Sequence, residues 1–170
     1  LVVSMLGGGV ASDRSAQLQG LCSLLERRKS CLHLVVVWPG STVLPTLHLW
    51  NNTRVVQTTE ALALAQAADL VVSAAGYNSV NEVLYHGIPA IFIPQSAPYL
   101  DDQTRRARAA SDRGLSVTVL AQELLRLERE VLACLDGGKA ALLRARLKLA
   151  ELPSPGTDRA ARLIEMEAGR

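Results

Sequence analysis

Residues 69–103 run DLVVSAAGYNSVNEVLYHGIPAIFIPQSAPYLDDQ. Leu70 to Val72 read as an apolar strand and Ser73 to Gly76 as a turn of small residues, with a helix starting at Asn78 or Ser79. Gly87 and Pro89 stop that helix before a second strand at Ala90 to Ile93, and Asp101, Asp102 and Gln103 close the segment. Strand, turn, helix and strand make a βαβ unit. Its first loop runs into a helix N-terminus, where free N–H groups attract anions.

Outward from this unit the same alternation repeats. Leu1 to Leu6 reads as a strand, followed by a tight loop at Gly7, Gly8 and Gly9 whose missing side chains let backbone N–H groups approach a ligand. Ser12 or Asp13 can cap the next helix, which carries a stripe of Leu18, Leu21, Leu24 and Leu25. Leu32 to Trp38 is a strand apolar enough to be covered on both faces, ended by Pro39, Gly40 and Ser41. Thr42 to Thr53 suggests loops around a short helix or turn at Leu47 to Trp50. Arg54 to Gln57 is a third strand, and Thr59 caps a helix over Glu60 to Ala68.

Beyond the central unit, Asp102 to Arg113 reads as a helix stopped by Gly114, and Ser116 to Val119 as a sixth strand. Helices follow at Ala121 to Leu135 and Gly138 to Glu151. A linker at 153–156 leads to a final helix over 157–170, whose Leu163, Ile164 and Met166 are expected to pack partly on another domain. The pattern predicts an α/β fold: a doubly wound, parallel, six-stranded, Rossmann-like sheet in one domain spanning 1–170, with its core in 1–152. Ligands of such sheets bind outside the carboxyl ends of the strands.

The chain has 170 residues, 49% hydrophobic but only 4% aromatic, so the core must be built from Leu, Val, Ile and Ala. A formal charge of +2 leaves no basic footprint for nucleic acid. Cys22, Cys31 and Cys134 are an odd number without CxxC spacing, which argues against a disulfide framework and against zinc and points to a reducing, cytoplasmic setting. No apolar run is long enough to span a bilayer. The opening Leu1 falls inside a strand pattern with no initiator Met, which suggests a piece of a longer protein.

Gly7, Gly9 and Ser12 approximate a dinucleotide fingerprint, but the second strand ends in Trp38 and Pro39 where that fingerprint needs an acid; a simple strand-to-helix turn is the other reading. There is no P-loop spacing. Gly76, Asn78 and Ser79 sit where phosphate would meet a helix end, and Glu82 falls on the same face, able to accept bonds from two ribose hydroxyls. Ser79 and Glu82 equally fit a capping box. Asp102 and Gln103 offer acceptor and donor atoms suited to sugar hydroxyls, while Asp101 or Asp102 could instead cap a helix.

These residues carry a family resemblance. The run from Val71 to Gln103 resembles the nucleotide-sugar signature in the C-terminal half of GT-B glycosyltransferases, most closely the group containing the bacterial N-acetylglucosaminyltransferase of lipid II synthesis. The opening LVVSMLGGGVAS is similar to the strand and glycine loop that begin this half, so the likeness covers about Leu1 to Leu120. It implies that Gly7, Gly8, Gly9, Gly76, Asn78 and Ser79 meet the diphosphate, Glu82 the ribose, and Asp102 and Gln103 the sugar. It also implies that the base lies against Val56 and Thr58. Two positions depart from the pattern: Ala74 where many relatives have histidine, and Gly9 where others have serine.

The resemblance thus implies the donor-binding half of a hexosyltransferase that takes a UDP-sugar as substrate, with neither cofactor nor metal. Its acceptor site and catalytic base would lie in a separate N-terminal domain, and no residue here is assigned as catalytic. A UDP-sugar hydrolase, a 2-epimerase, or a non-catalytic nucleotide-sugar-binding subunit with a partner domain are the alternatives. Arg14 either approaches a phosphate or is solvated on its helix. Arg105, Arg106, Arg108 and Arg113 read as a solvated basic face that acidic lipid or the other domain could meet, allowing peripheral membrane contact. His33, His48 and His86 have no evident role.

Overall fold

Among the described residues the apolar runs form strands and the Leu- and Ala-rich runs form helices. The computed structural model describes residues 1–7, 13–39, 50–97, 100–153 and 156–168. The strands are β1 (Val2–Met5), β2 (His33–Val37), β3 (Thr53–Gln57), β4 (Leu70–Ala74), β5 (Ala90–Ile93) and β6 (Val117–Thr118). The helices are α1 (Ser15–Glu26), α2 (Ala61–Gln66), α3 (Tyr77–Tyr85), α4 (Gln103–Asp112), α5 (Leu124–Leu135), α6 (Lys139–Leu149) and α7 (Thr157–Ala168). The expected Gly8 and Gly9 loop, Ser12 cap, turn at 47–49 and part of the linker lie outside the described residues.

All strand pairs are parallel, in the order β3-β2-β1-β4-β5-β6. The chain therefore winds outward twice from a switch point between β1 and β4, and the loops leaving those two strands flank one crevice. Alternate residues of each strand serve opposite faces. Val2, Leu70, Val72, Ile91 and Ile93 pack under α1 and α5, whereas Val3, Val71, Ala90 and Phe92 pack under α2, α3 and α4. Burial on both faces is why the strands read as continuous apolar runs.

A polar cluster sits within this core. His33 is 0% exposed; its Nε2 lies 2.8 Å from Ser4 Oγ and its Nδ1 3.2 Å from Thr53 Oγ1. The ring thereby ties β2 to both of its neighbours, and burial pushes its pKa down to about 4.

Local boundaries shift for identifiable reasons. The hydroxyl that turns the chain into α2 is that of Thr58, which accepts the Glu60 N–H at 2.9 Å, rather than that of Thr59. Glu123 Oε2 accepts the Leu120 N–H, so α5 starts at Leu124 instead of Ala121. Asp13 accepts both the N–H and the hydroxyl of Ser15 at the head of α1, and the hydroxyl contact holds its carboxyl below the usual carboxylate range. Leu163, Ile164 and Met166 of α7 are exposed.

Candidate functional site

The crevice at the switch point is built from three carboxyl ends. Met5 and Gly7 close β1, Val36, Val37 and Trp38 close β2, and Thr58 to Leu62 lead from β3 into α2; with Asn78, Ser79, Glu82 and Val83 of α3 they line a cavity of about 410 Å³. Gly7, Thr58, Asn78, Ser79 and Glu82, separate in sequence, thus share one space. Val56 lies within β3 and is not among the lining residues, so of the two positions that the resemblance sets against a base only Thr58 is in the cavity.

The head of α3 carries no side-chain cap. Gly76 is its N-cap with no side-chain cap bond, and the first helical bond runs from Val80 N–H to Gly76 C=O at 3.0 Å. The N–H groups of Tyr77, Asn78 and Ser79 are therefore the free donors of the first turn. The helix starts at Tyr77, one residue ahead of Asn78, which puts Ser79 in its third position and removes the capping-box alternative for Ser79 and Glu82. Gly76 has an ordinary φ of −60°, and a Cβ there would meet only Ser79 Oγ at 3.8 Å. Among the described residues nothing at Gly76 demands glycine, and the space beside the helix end is open.

Gly7 is a different case. Its φ of +84° favours glycine, and a Cβ would come within 3.1 Å of Gln95 Nε2. That amide donates to the Leu6 carbonyl at 3.0 Å, and the Gln95 N–H donates to Gln103 Oε1 at 3.0 Å. A chain of two glutamines thus locks the β5–α4 loop to the end of β1. Gly7→Ala is expected to cost about 1–2 kcal/mol of stability, read as a lowered midpoint in urea unfolding.

This network revises two expectations. Gln103 is buried, and its Oε1 accepts the Gln95 N–H, which leaves Nε2 without a hydrogen bond among the described residues. Asp102 is the N-cap of α4, its Oδ1 accepting the Arg105 N–H at 2.9 Å, so the capping role is real and Oδ2 is the oxygen left over. Neither residue lines the 410 Å³ cavity.

Three side chains stand differently from their expected settings. Arg14 is 2% exposed and not solvated: its Nη2 reaches the Pro94 carbonyl at 3.4 Å, its Nε has no partner, and burial lowers its pKa. Arg106 is likewise no solvated residue. It donates to the Ala75 carbonyl at 2.8 Å, pairs with Asp101, and lies 5.3 Å over the Tyr77 ring, bracing the turn into α3. Trp38, 62% exposed, is among the residues that line the cavity. An aromatic residue at a strand's carboxyl end was the available signal for Trp38, whereas the two arginines depend on contacts made only on folding.

An open parallel sheet with its crevice at a glycine turn and a helix end is the architecture of nucleotide-binding α/β domains. Solved glycosyltransferases share it. The spinosyn rhamnosyltransferase SpnG complexed with thymidine diphosphate aligns over 96% of this chain and 44% of its own, with a TM-score of 0.72 and 19% identity. MurG of Acinetobacter baumannii aligns over 97% and 49%, with a TM-score of 0.67 and 19% identity.

The family model described as the glycosyltransferase family 28 C-terminal domain matches residues 24–153, and the chain belongs to that family. Among curated relatives, the UDP-N-acetylglucosamine–N-acetylmuramyl-(pentapeptide) pyrophosphoryl-undecaprenol N-acetylglucosamine transferase of Prochlorococcus marinus is 28% identical over 120 residues, 68% of this chain and 32% of that protein. The same enzyme of Verminephrobacter eiseniae is 42% identical over 81 residues, 42% of this chain and 22% of that protein. The chain spans about a third or less of the length of the curated relatives it matches.

Proposed function

We propose that this chain is the donor-binding half of a glycosyltransferase that takes a nucleoside diphosphate sugar, UDP-sugar being the class favoured by the names of its curated relatives. The observation that carries the reading is the convergence of Gly7, Thr58, Asn78, Ser79 and Glu82 on one crevice at the switch point. The diphosphate sits at the Gly76 to Ser79 helix end and the Gly7 turn, with Gly8 and Gly9 assigned by resemblance. The ribose hydroxyls bond to Glu82, and the base lies toward Thr58 and Trp38. The buried Arg14 adds positive charge below the phosphates. Gln103 Nε2 and Asp102 Oδ2 face the sugar.

In this arrangement the chain's chemical contribution is to hold the donor and stabilise the departing diphosphate with preorganised N–H donors. The base that activates the acceptor, and the acceptor site, belong to a further domain, and the reaction takes place on the cytoplasmic side. No helix among the described residues is long and apolar enough to cross a membrane; contact with a membrane in this reading is peripheral.

Gln103→Ala tests the sugar assignment. UDP-sugar affinity is expected to fall about threefold to tenfold more than UDP affinity, since the variant loses a sugar hydrogen bond of about 1 kcal/mol beyond any loosening of Gln95. Paired calorimetric titrations of the two ligands check it, and an equal loss for both removes the sugar role.

A further inference from the structure

A second cavity lies at the opposite edge of the sheet. β6 is the edge strand, and the Val119 N–H bonds back to the Phe92 carbonyl at 3.0 Å, so the intervening Thr118 turns its own peptide groups outward. Ser116 and Thr118 are 5% and 9% exposed, and neither Ser116 Oγ nor Thr118 Oγ1 has a hydrogen-bond partner. Buried hydroxyls are ordinarily satisfied, so a pair without partners marks a place where a polar group is received.

Both residues line a cavity of about 550 Å³, whose wall also carries Arg108, Arg126, Lys139 and Arg146 against Glu123 and Glu130. Glu123 engages Arg126 at 3.0 Å and Glu130 engages Lys139 at 2.5 Å, so the two acids are neutralised within the wall. Arg108 and Arg146 have no ion-pair partner among the described residues. Arg146 lies across Gly114 at the end of α4, where a Cβ would collide with its guanidinium. The missing side chain lets that cation lie against the cavity wall.

We propose that this cavity binds a small phosphorylated ligand at a site separate from the donor crevice. Two unpaired guanidinium groups supply forked N–H donors, and two hydroxyls supply further donors, which together suit the several oxygens of a tetrahedral phosphate better than a flat carboxylate. The volume exceeds that of a bare anion, and Leu120 and Leu142 on the wall give an organic substituent an apolar rest. The phosphate can belong to a soluble metabolite or to a lipid headgroup, since both present the same group.

The test titrates the whole chain with glycerol 3-phosphate by calorimetry and sediments it with phosphatidylglycerol or phosphatidylcholine vesicles. Saturable binding of glycerol 3-phosphate is expected, weakened about tenfold or more in the R108Q/R146Q double variant and several-fold in S116A/T118V. The melting temperature in phosphate-free buffer is expected to be unchanged in R108Q/R146Q, whose replaced side chains are exposed, and unchanged or raised in S116A/T118V. Binding to phosphatidylglycerol vesicles alone, lost in R108Q/R146Q, identifies a lipid source, and binding of free glycerol 3-phosphate identifies a soluble one. Saturating UDP is expected to leave the glycerol 3-phosphate affinity unchanged. Absence of binding to both probes, binding undiminished in R108Q/R146Q, or competition with UDP overturns the proposal.

Discussion

Replacing Glu82 with alanine is expected to weaken UDP binding by about tenfold to a hundredfold while leaving the fold intact. The size follows from the loss of hydrogen bonds between a carboxylate and ribose hydroxyls, about 1.5–3 kcal/mol. The neutral effect on stability follows from geometry: Glu82 is exposed on α3, three residues beyond a Ser79 that already lies inside the helix, so it caps nothing. Unfolding free energy should change by no more than about 0.5 kcal/mol. The decisive control is 2′-deoxy-UDP. If Glu82 bonds the ribose, the penalty of Glu82→Ala shrinks with the deoxy nucleotide because one partner is already gone. An identical loss for UDP and 2′-deoxy-UDP contradicts the ribose assignment.

The second large effect is on folding. His33 has a folded pKa of about 4 against 6.5 for the free side chain, because its ring is buried among Ser4, Cys22 and Thr53. A depressed value means that between these two pH values the unfolded chain holds a proton that the folded chain lacks. The stability associated with neutral His33 is therefore fully present above about pH 6.5 and is lost as pH falls toward 4. The total is on the order of 3 kcal/mol, with a slope of about 1.4 kcal/mol per pH unit inside the window. Urea unfolding from pH 7.5 to 4.5 measures it. His33→Gln removes the titration and is expected to flatten the profile by one proton; parallel profiles for the two proteins contradict the assignment.

The sheet was legible because strands buried on both faces leave continuous apolar runs, and the βαβ unit of residues 69–103 set the period for the rest. The free head of α3 was legible for a similar reason: Gly76, Asn78 and Ser79 mark a helix start locally. What sequence could not separate was Ser79 as a cap from Ser79 inside the helix, since a shift of start to Tyr77 decides it and the S-x-x-E spacing does not. Arg14 and Arg106 carry no local sign of burial. Arg14 reaches Pro94, 80 residues away, and Arg106 reaches Ala75, 31 away, so their roles exist only once β5 and α4 are in place. The Gln95–Gln103 link has the same character: Gln103 was noticed for its place beside Asp102, but its partner at Gln95 and its tie to Leu6 follow from the sheet order. Trp38 was read as the end of a strand because its neighbour across the cavity, the β3–α2 loop, is adjacent only in the parallel register of β2 and β3.

In the proposed reading the crevice between the ends of β1 and β4 holds a nucleoside diphosphate. Titration of the isotopically labelled protein with UDP, followed by the amide resonances of Gly7 and of Gly76 to Ser79, tests it most directly. Saturable shifts concentrated at those amides are expected, with uridine at least about tenfold weaker because it lacks the phosphates that the helix end attracts. No shift at millimolar UDP, or shifts confined to residues outside the crevice, would contradict it.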